Sequence, residues 1–95
     1  MFSRSDCYRR TTNLRVRPVP EMDVCLVFTP DRPHLYRLNA AAWLVFELCD
    51  GRSGAALEAE YDEAMQQDDG SAVEGLHGIV AEFEQRGIIE RFAPA

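Results

Sequence analysis

The chain has 95 residues, of which 46% are hydrophobic and 27% are charged. This length and composition predict one compact domain and argue against intrinsic disorder, a collagen-like repeat or a disulfide-stabilised scaffold. All ten basic residues are arginine, and the 16 acidic residues bring the formal net charge to −6, which disfavours binding to a phosphate backbone.

The charges are divided unevenly along the chain. Residues 1–37 contain seven arginines and four acids, whereas residues 38–95 contain three arginines and twelve acids. The first part therefore has a net charge of +3 and the second a net charge of −9. One part of the molecule is expected to attract anions and the other to attract cations.

The three cysteines predict neither a disulfide framework nor a zinc site. Cys7, Cys25 and Cys49 form no C-x-x-C pair, and only two histidines accompany them. Reduced thiols are therefore expected, with Cys25 and Cys49 serving as small hydrophobic residues.

The N-terminus lacks the apolar run of a signal peptide, and the longest apolar run, residues 40–46, is too short to span a bilayer. We expect a cytoplasmic protein without a membrane partner.

Three short strands are predicted in the first half of the chain. Residues 14–19 alternate apolar side chains with arginine, residues 24–29 are β-branched and aromatic, and residues 34–38 alternate again. Their short connections predict an antiparallel meander. Residues 1–13 lack this periodicity and are interpreted as an N-terminal arm, loose or contributing an edge segment, ahead of a domain over residues 14–92.

A first helix is predicted over residues 40–48. Asn39 can cap it, and Gly51 follows it. Because its residues are apolar on nearly every side, this helix is expected to lie at the centre of the core. The Asp50-Gly51 pair is interpreted as a turn.

Two further helices are predicted after that turn. Ser53 can cap the second, Ser71 and Glu74 form a capping box for the third, and residues 68–70 are interpreted as the loop between them. The acids between residues 58 and 63 are expected to face water. The inward stripe of the second helix is predicted to be Leu57, Tyr61, Ala64 and Met65.

The order of these elements predicts an α+β fold. A three-stranded antiparallel sheet is followed by three helices, and residues 88–92 are either a return strand or a packed tail. A sheet of three strands has open edges, and such an edge can accept a strand from a partner or pair with another copy of the chain.

The run from Leu38 to Gly51, LNAAAWLVFELCDG, resembles a run in the PqqD-like family. The family pattern is L-N-x-x-A-x-x-[IV]-[LFW]-x-L-[CI]-D-G after a β-meander, and the resemblance extends over residues 14–91. It implies a winged helix-turn-helix-like fold and a peptide chaperone. Such a chaperone binds the leader of a ribosomally made precursor peptide and presents it to a modifying enzyme, a radical S-adenosylmethionine enzyme in pyrroloquinoline quinone biosynthesis. The acidic second helix departs from the family and leaves the branch and the product open.

The resemblance also implies a peptide-binding site. In the family the leader lies as an added strand along the third strand and against the third helix. The matching strand positions are Leu35, Tyr36, Arg37 and Leu38. The helix positions chosen here are Val73, Leu76, His77, Val80 and Glu84. Helical periodicity leaves open the opposite flank, Gly75, Ile79, Glu82 and Arg86, because the sequence does not say which flank faces the sheet edge.

Other classes of function are less well supported by the residues. The chain has no Gly-rich phosphate loop, metal set or nucleophile–base pair, so we expect neither an enzyme nor a cofactor. A winged-helix DNA-binding module is the first alternative, but Arg86 is the only cation of the third helix against three acids. The second alternative is a structural module that self-associates through the open edge as a homodimer.

Overall fold

The computed structural model describes residues 2–31, 33–65 and 71–94, with the side chains of residues 71–74 left out. The strands are β1 (Cys7–Arg10), β2 (Arg15–Val19), β3 (Val24–Thr29), β4 (His34–Leu38), β5 (Asp50–Ser53) and β6 (Ile89–Phe92), and the helices are α1 (Ala40–Leu48), α2 (Gly54–Met65) and α3 (Ser71–Gln85). A short 3₁₀ turn, Pro20–Met22, joins β2 to β3. The predicted α+β class and the three helices are confirmed.

The strands form two antiparallel sheets, so the prediction of a single three-stranded sheet is wrong. One sheet has the order β2-β3-β4 and is the predicted meander. The other has the order β5-β1-β6 and brings together segments far apart in sequence. The winged helix-turn-helix arrangement stays a prediction.

The meander follows from the alternation of its residues. In β3 the side chains of Cys25 and Val27 are fully buried, whereas Leu26 and Phe28 on the opposite side are partly exposed. Strands with one buried face show this period of two, because successive side chains point to opposite faces. The buried face packs against α1, where Phe46 is 2% exposed.

The second sheet was not predicted because its strands carry little local signal. Residues 7–10 were interpreted as loose or as an edge segment, yet β1 is the middle strand of this sheet. Tyr8 pairs with Arg91 of β6, and Cys7 pairs with both Phe92 of β6 and Ser53 of β5. Near the C-terminus, β6 is the return strand that the sequence leaves open as one of two possibilities for residues 88–92. Asp50 and the residues after it form β5 rather than a simple turn.

Helix α1 is capped at both ends by polar groups. Asn39 Oδ1 accepts a hydrogen bond of 2.9 Å from the backbone N–H of Ala42, as predicted. At the other end Arg10 Nη1 donates to the carbonyl oxygens of Phe46 and Glu47, at 3.0 and 2.9 Å. A cation at the C-terminal end of a helix also complements the helix dipole. Arg10 of β1 therefore fixes the second sheet to α1.

Helix α2 agrees with its predicted pattern in part. Leu57 and Tyr61 are buried, and Ser53 Oγ accepts a hydrogen bond of 3.1 Å from the backbone N–H of Ala56. Ala64 is exposed rather than inward, since a single methyl group gains little from burial. Glu58 is not a simple water-facing acid, because its side chain is only 15% exposed. The predicted loop over residues 68–70 and the side chains of the Ser71–Glu74 capping box lie outside the described residues.

The segment before β1 packs closely on the start of α2. The backbone N–H groups of Gly54 and Ala55 donate to the carbonyl oxygens of Asp6 and Arg4, at 2.8 and 3.0 Å. A Cβ atom at Gly54 would clash with the carbonyl oxygen of Ser3 and lie 2.9 Å from the Cα atom of Arg4. Glycine is therefore required here by the close approach of two backbone segments.

We expect Gly54→Ala to destabilise the protein by about 1–3 kcal/mol, because the N-terminal segment must shift to admit the methyl group. Gly78→Ala is the matched control. A Cβ atom at Gly78 meets nothing within 4 Å, and the residue lies in an exposed part of α3. It should stabilise the protein by about 0.5–1 kcal/mol through helix propensity. Urea denaturation measures both values, and two shifts of the same sign would contradict the expectation.

Candidate functional site

A groove of about 270 Å³ lies between β4, α1 and α3. Its walls include Leu38 of β4, Ala42 of α1, Ile79, Glu82 and Phe83 of α3, and Arg86 directly after α3. The deepest side chains are those of Leu38 and Phe83, which are 3% and 2% exposed. An apolar floor with charged groups at its border suits an apolar side chain of a ligand that also carries polar groups.

The sequence creates this groove by placing small residues on one helix and larger ones on the other. Ala41 and Ala42 occupy the first turn of α1, where side chains of one carbon leave space above the sheet. The backbone N–H of Arg86, directly after α3, still donates to the carbonyl oxygen of Glu82, so Arg86 lies about two helical turns from Ile79 and on the same side. The groove therefore runs along α3 beside the edge of β4.

Strand β4 pairs with β3 and with no other described strand. The register joins Leu38 to Cys25 and His34 to Thr29, so the whole of β4 is paired on that one side. In an antiparallel strand the backbone N–H and C=O groups of alternate residues point away from the partner. The groove is thus bordered by a row of backbone donors and acceptors that can bind a further strand.

Arg86 connects the end of α3 to the middle of β4. Its guanidinium carbon lies 4.9 Å from the ring centroid of Tyr36, and its Nη2 atom forms an ion pair with Glu82. The Tyr36 ring also contacts the His34 ring, with 4.3 Å between the centroids. A guanidinium over an aromatic face is attracted by the ring quadrupole, so this contact sets the position of the helix end against the strand.

The four strand residues expected to bind peptide occupy both faces of β4. Leu38 and Tyr36 face the core, with Leu38 on the groove floor. Leu35 is 58% exposed on the opposite face, and Arg37 lies on that face and also borders the groove. The structure therefore places the strand residues at or next to the open edge.

The described residues of α3 that were expected to bind peptide do not border the groove. Leu76 and Val80 are fully buried in the core and offer no surface to a ligand. His77 stacks on Phe2, with 4.3 Å between ring centroids, and its Nε2 atom lies 2.8 Å from Glu58. Glu84 Oε2 lies 3.7 Å from Arg91 of β6, and the side chain of Val73 is outside the described residues. Of the two flanks that periodicity left open, the structure brings that of Ile79, Glu82 and Arg86 to β4.

The side chains that could hold a metal or act as nucleophiles are scattered or buried in the described chain. In residues 2–31, 33–65 and 71–94, no group of three His, Cys, Asp or Glu side chains is arranged to hold a metal ion. Burial raises the pKa of the Cys49 thiol to about 12 and also raises the pKa of Cys25. Both thiols are therefore protonated and unreactive near neutral pH.

In the described residues no helix has the length and apolar character to cross a bilayer.

An open sheet edge beside a helical groove is the arrangement of modules that bind peptides by adding a strand. The model of the family "Coenzyme PQQ synthesis protein D (PqqD)" matches residues 25–89, more than half of the chain. The chain belongs to the PqqD family, which confirms the resemblance of its sequence. This assignment gives it a role in the biosynthesis of ribosomally made, modified peptides. A search of curated proteins and a search of solved structures found no match to this chain.

The raised thiol pKa values predict a fixed order of alkylation. With iodoacetamide at pH 8, we expect the half-buried Cys7 to be labelled first, and Cys25 and Cys49 only when the chain unfolds. Mass spectrometry of the digested protein measures the labelling, and a sample in guanidinium chloride, where all three thiols should react alike, is the control. Native labelling of Cys49 at the rate of Cys7 would refute this expectation.

Proposed function

We propose that this protein is a non-enzymatic peptide chaperone that binds the leader of a precursor peptide by strand addition at β4. The observation that carries the proposal is the edge of β4 that no described strand covers, beside a groove with an apolar floor and charged borders. Backbone hydrogen bonds to β4 would hold the leader in register, and the groove would select its side chains. Membership of the PqqD family supports the same class of function.

We place the helical side of the binding site on Ile79, Glu82 and Arg86. These residues border the groove, whereas His77 and Glu84 are engaged with Phe2 and Arg91. Ile79 would supply apolar contact, and the paired charges of Glu82 and Arg86 would bind polar groups of the leader. On the strand, Leu35, Tyr36, Arg37 and Leu38 remain the proposed contacts.

The ligand that fits this groove is an extended segment with an apolar side chain directed at Leu38 and Phe83. Side chains of a strand alternate between two faces, so every second residue of the leader would face α3. The opposite side chains would meet Leu35 and Arg37 on the other face of the sheet. Recognition by backbone contacts and one apolar pocket would tolerate differences in the other side chains of the leader.

The bound leader would be presented to a peptide-modifying enzyme, which we propose is a radical S-adenosylmethionine enzyme, as in pyrroloquinoline quinone biosynthesis. Family membership supports this pairing. The chaperone would contribute binding and orientation, since raising the local concentration of the substrate speeds a reaction without a new catalytic group.

The charges of α3 do not support the alternative of DNA binding. The helix from Ser71 to Gln85 contains no arginine, and Arg86 just after it is engaged with Glu82 and Tyr36. Insertion into a groove of DNA requires basic side chains free to contact phosphates and bases. Self-association through the β4 edge would occupy the same backbone groups as the leader, so the two would compete.

We expect Ile79→Ala to weaken leader binding about 10-fold, through loss of apolar contact in the groove. The matched control is His77→Ala, which truncates the opposite flank of α3 and should change the affinity less than about twofold. Isothermal titration calorimetry measures both, with a synthetic leader as the probe, taken from a precursor gene sought in the neighbourhood of the gene for this chain.

Thermal unfolding is recorded for both variants so that a folding defect is not mistaken for a binding defect. A larger loss from His77→Ala than from Ile79→Ala would place the site on the other flank. No binding of the leader to the wild-type chain would refute the proposed function. Light scattering with and without leader shows whether a dimer competes for the edge.

A further inference from the structure

The meander has a second face, directed away from α1, that we call the outer sheet face. Its residues are Arg15 and Arg17 of β2, Leu26 and Phe28 of β3, and Leu35 and Arg37 of β4. The register arranges them in two rows, because directly paired residues point to the same side of a sheet. One row is Arg17–Leu26–Arg37, and the next is Arg15–Phe28–Leu35. Three apolar side chains are thus interspersed with three guanidinium groups.

The arginines of the outer sheet face differ from the others in the described chain. Arg15, Arg17 and Arg37 form no ion pair with any described residue. The other described arginines are all engaged, either in ion pairs or, for Arg10, with the carbonyl oxygens at the end of α1. The described arginines without a partner are therefore gathered on one face.

This separation is notable because the chain has acids in excess, 16 against ten arginines. Strands β2, β3 and β4 contain no aspartate or glutamate. Leu35 on this face is 58% exposed and is one of the large hydrophobic residues with the most exposed surface. Unpaired positive charge around exposed apolar side chains is the pattern of a surface that is covered by a partner.

We propose that the outer sheet face docks the peptide-modifying enzyme through a patch of that enzyme with an apolar centre and surrounding carboxylates. This inference rests on the proposed function for the identity of the partner. Each guanidinium can bind a carboxylate through two parallel hydrogen bonds. Leu26, Phe28 and Leu35 would form the water-excluding centre, where most of the binding free energy of an interface arises.

The composition of the face favours an acidic protein over a polyanion or a lipid surface. The whole chain carries −6, so nucleic acid and anionic membranes are repelled at long range. A protein patch with a few carboxylates avoids most of that repulsion and can cover the apolar centre. Opposite charges would also accelerate the encounter of the two proteins at low salt.

Docking on this face leaves the groove accessible. Arg15 and Arg17 lie on β2, two strands from the open edge of β4, and neither borders the groove. Leader and enzyme would therefore bind at the same time, with Leu35 and Arg37 of β4 next to both. A ternary complex of this kind is what presentation of a substrate requires.

The test is the double variant Arg15→Gln/Arg17→Gln, studied by biolayer interferometry against a purified radical S-adenosylmethionine enzyme whose gene is sought in the neighbourhood of the gene for this chain. We expect the variant to bind the enzyme about 10-fold more weakly at 50 mM NaCl, with a smaller salt dependence up to 300 mM. Its affinity for the leader should be unchanged, because β2 lies outside the groove.

The matched control is Arg4→Gln/Arg9→Gln, which lowers the net charge equally at exposed arginines already paired with Glu58 and Glu90. It should bind the enzyme within about twofold of wild type. Two further arms use a generic DNA duplex and phosphatidylglycerol vesicles as probes for the other possible occupants.

Equal affinity of both double variants for the enzyme would overturn the inference, as would failure of the wild-type chain to bind it. Binding of duplex or vesicles that depends on Arg15 and Arg17, with enzyme affinity unaffected, would assign the face to a polyanion or a membrane instead. The leader titration is separate, so failure of leader binding with intact enzyme docking would refute the proposed function alone.

Discussion

The pairing of β1 with β6 places both ends of the described chain in a sheet of their own, away from β4. Tyr8 at the centre of this sheet is fully buried, and its hydroxyl accepts a hydrogen bond of 2.9 Å from the backbone N–H of Ser3. Arg10 of the same strand donates hydrogen bonds to the carbonyl oxygens at the C-terminal end of α1. An end segment that instead paired with β4 would occupy the edge on which the proposed function depends. The second sheet therefore leaves the edge of β4 uncovered by the described end segments.

The two faces of the meander are used differently as a result. Its inner face is covered by α1, and the boundary of that face with α3 forms the groove, where Arg86 and Tyr36 hold helix and strand together. Its outer face carries arginines that no described acid neutralises. In the proposed function, this one small sheet would offer a backbone edge to the leader and a charged, partly apolar face to the enzyme.

Sequence reasoning succeeded where the structure depends on neighbours in the chain. The alternation of residues 14–19 and 34–38 and the β-branched, aromatic run of residues 24–29 predicted the meander, and Asn39 and Ser53 act as the expected caps. It failed where paired strands are far apart in the sequence. Arg9 of β1 donates a hydrogen bond to Glu90 of β6, 81 positions later, and the local residue pattern of neither strand predicts that contact. The exposed position of Ala64 shows the same limit. Helical spacing predicts which side of α2 a residue lies on, but not whether another element packs against that side.

By itself the sequence determined the α+β class, the meander, the three helices and the PqqD family, because local periodicity, capping residues and the run from Leu38 to Gly51 are all read along the chain. Only the tertiary structure decided that β1 is a central strand and that the flank of Ile79 and Arg86, rather than that of His77 and Glu84, faces β4. The rotation of a helix about its axis is set by what packs on every side of it. For α3 those neighbours include Phe2 and Arg91, which lie near opposite ends of the chain.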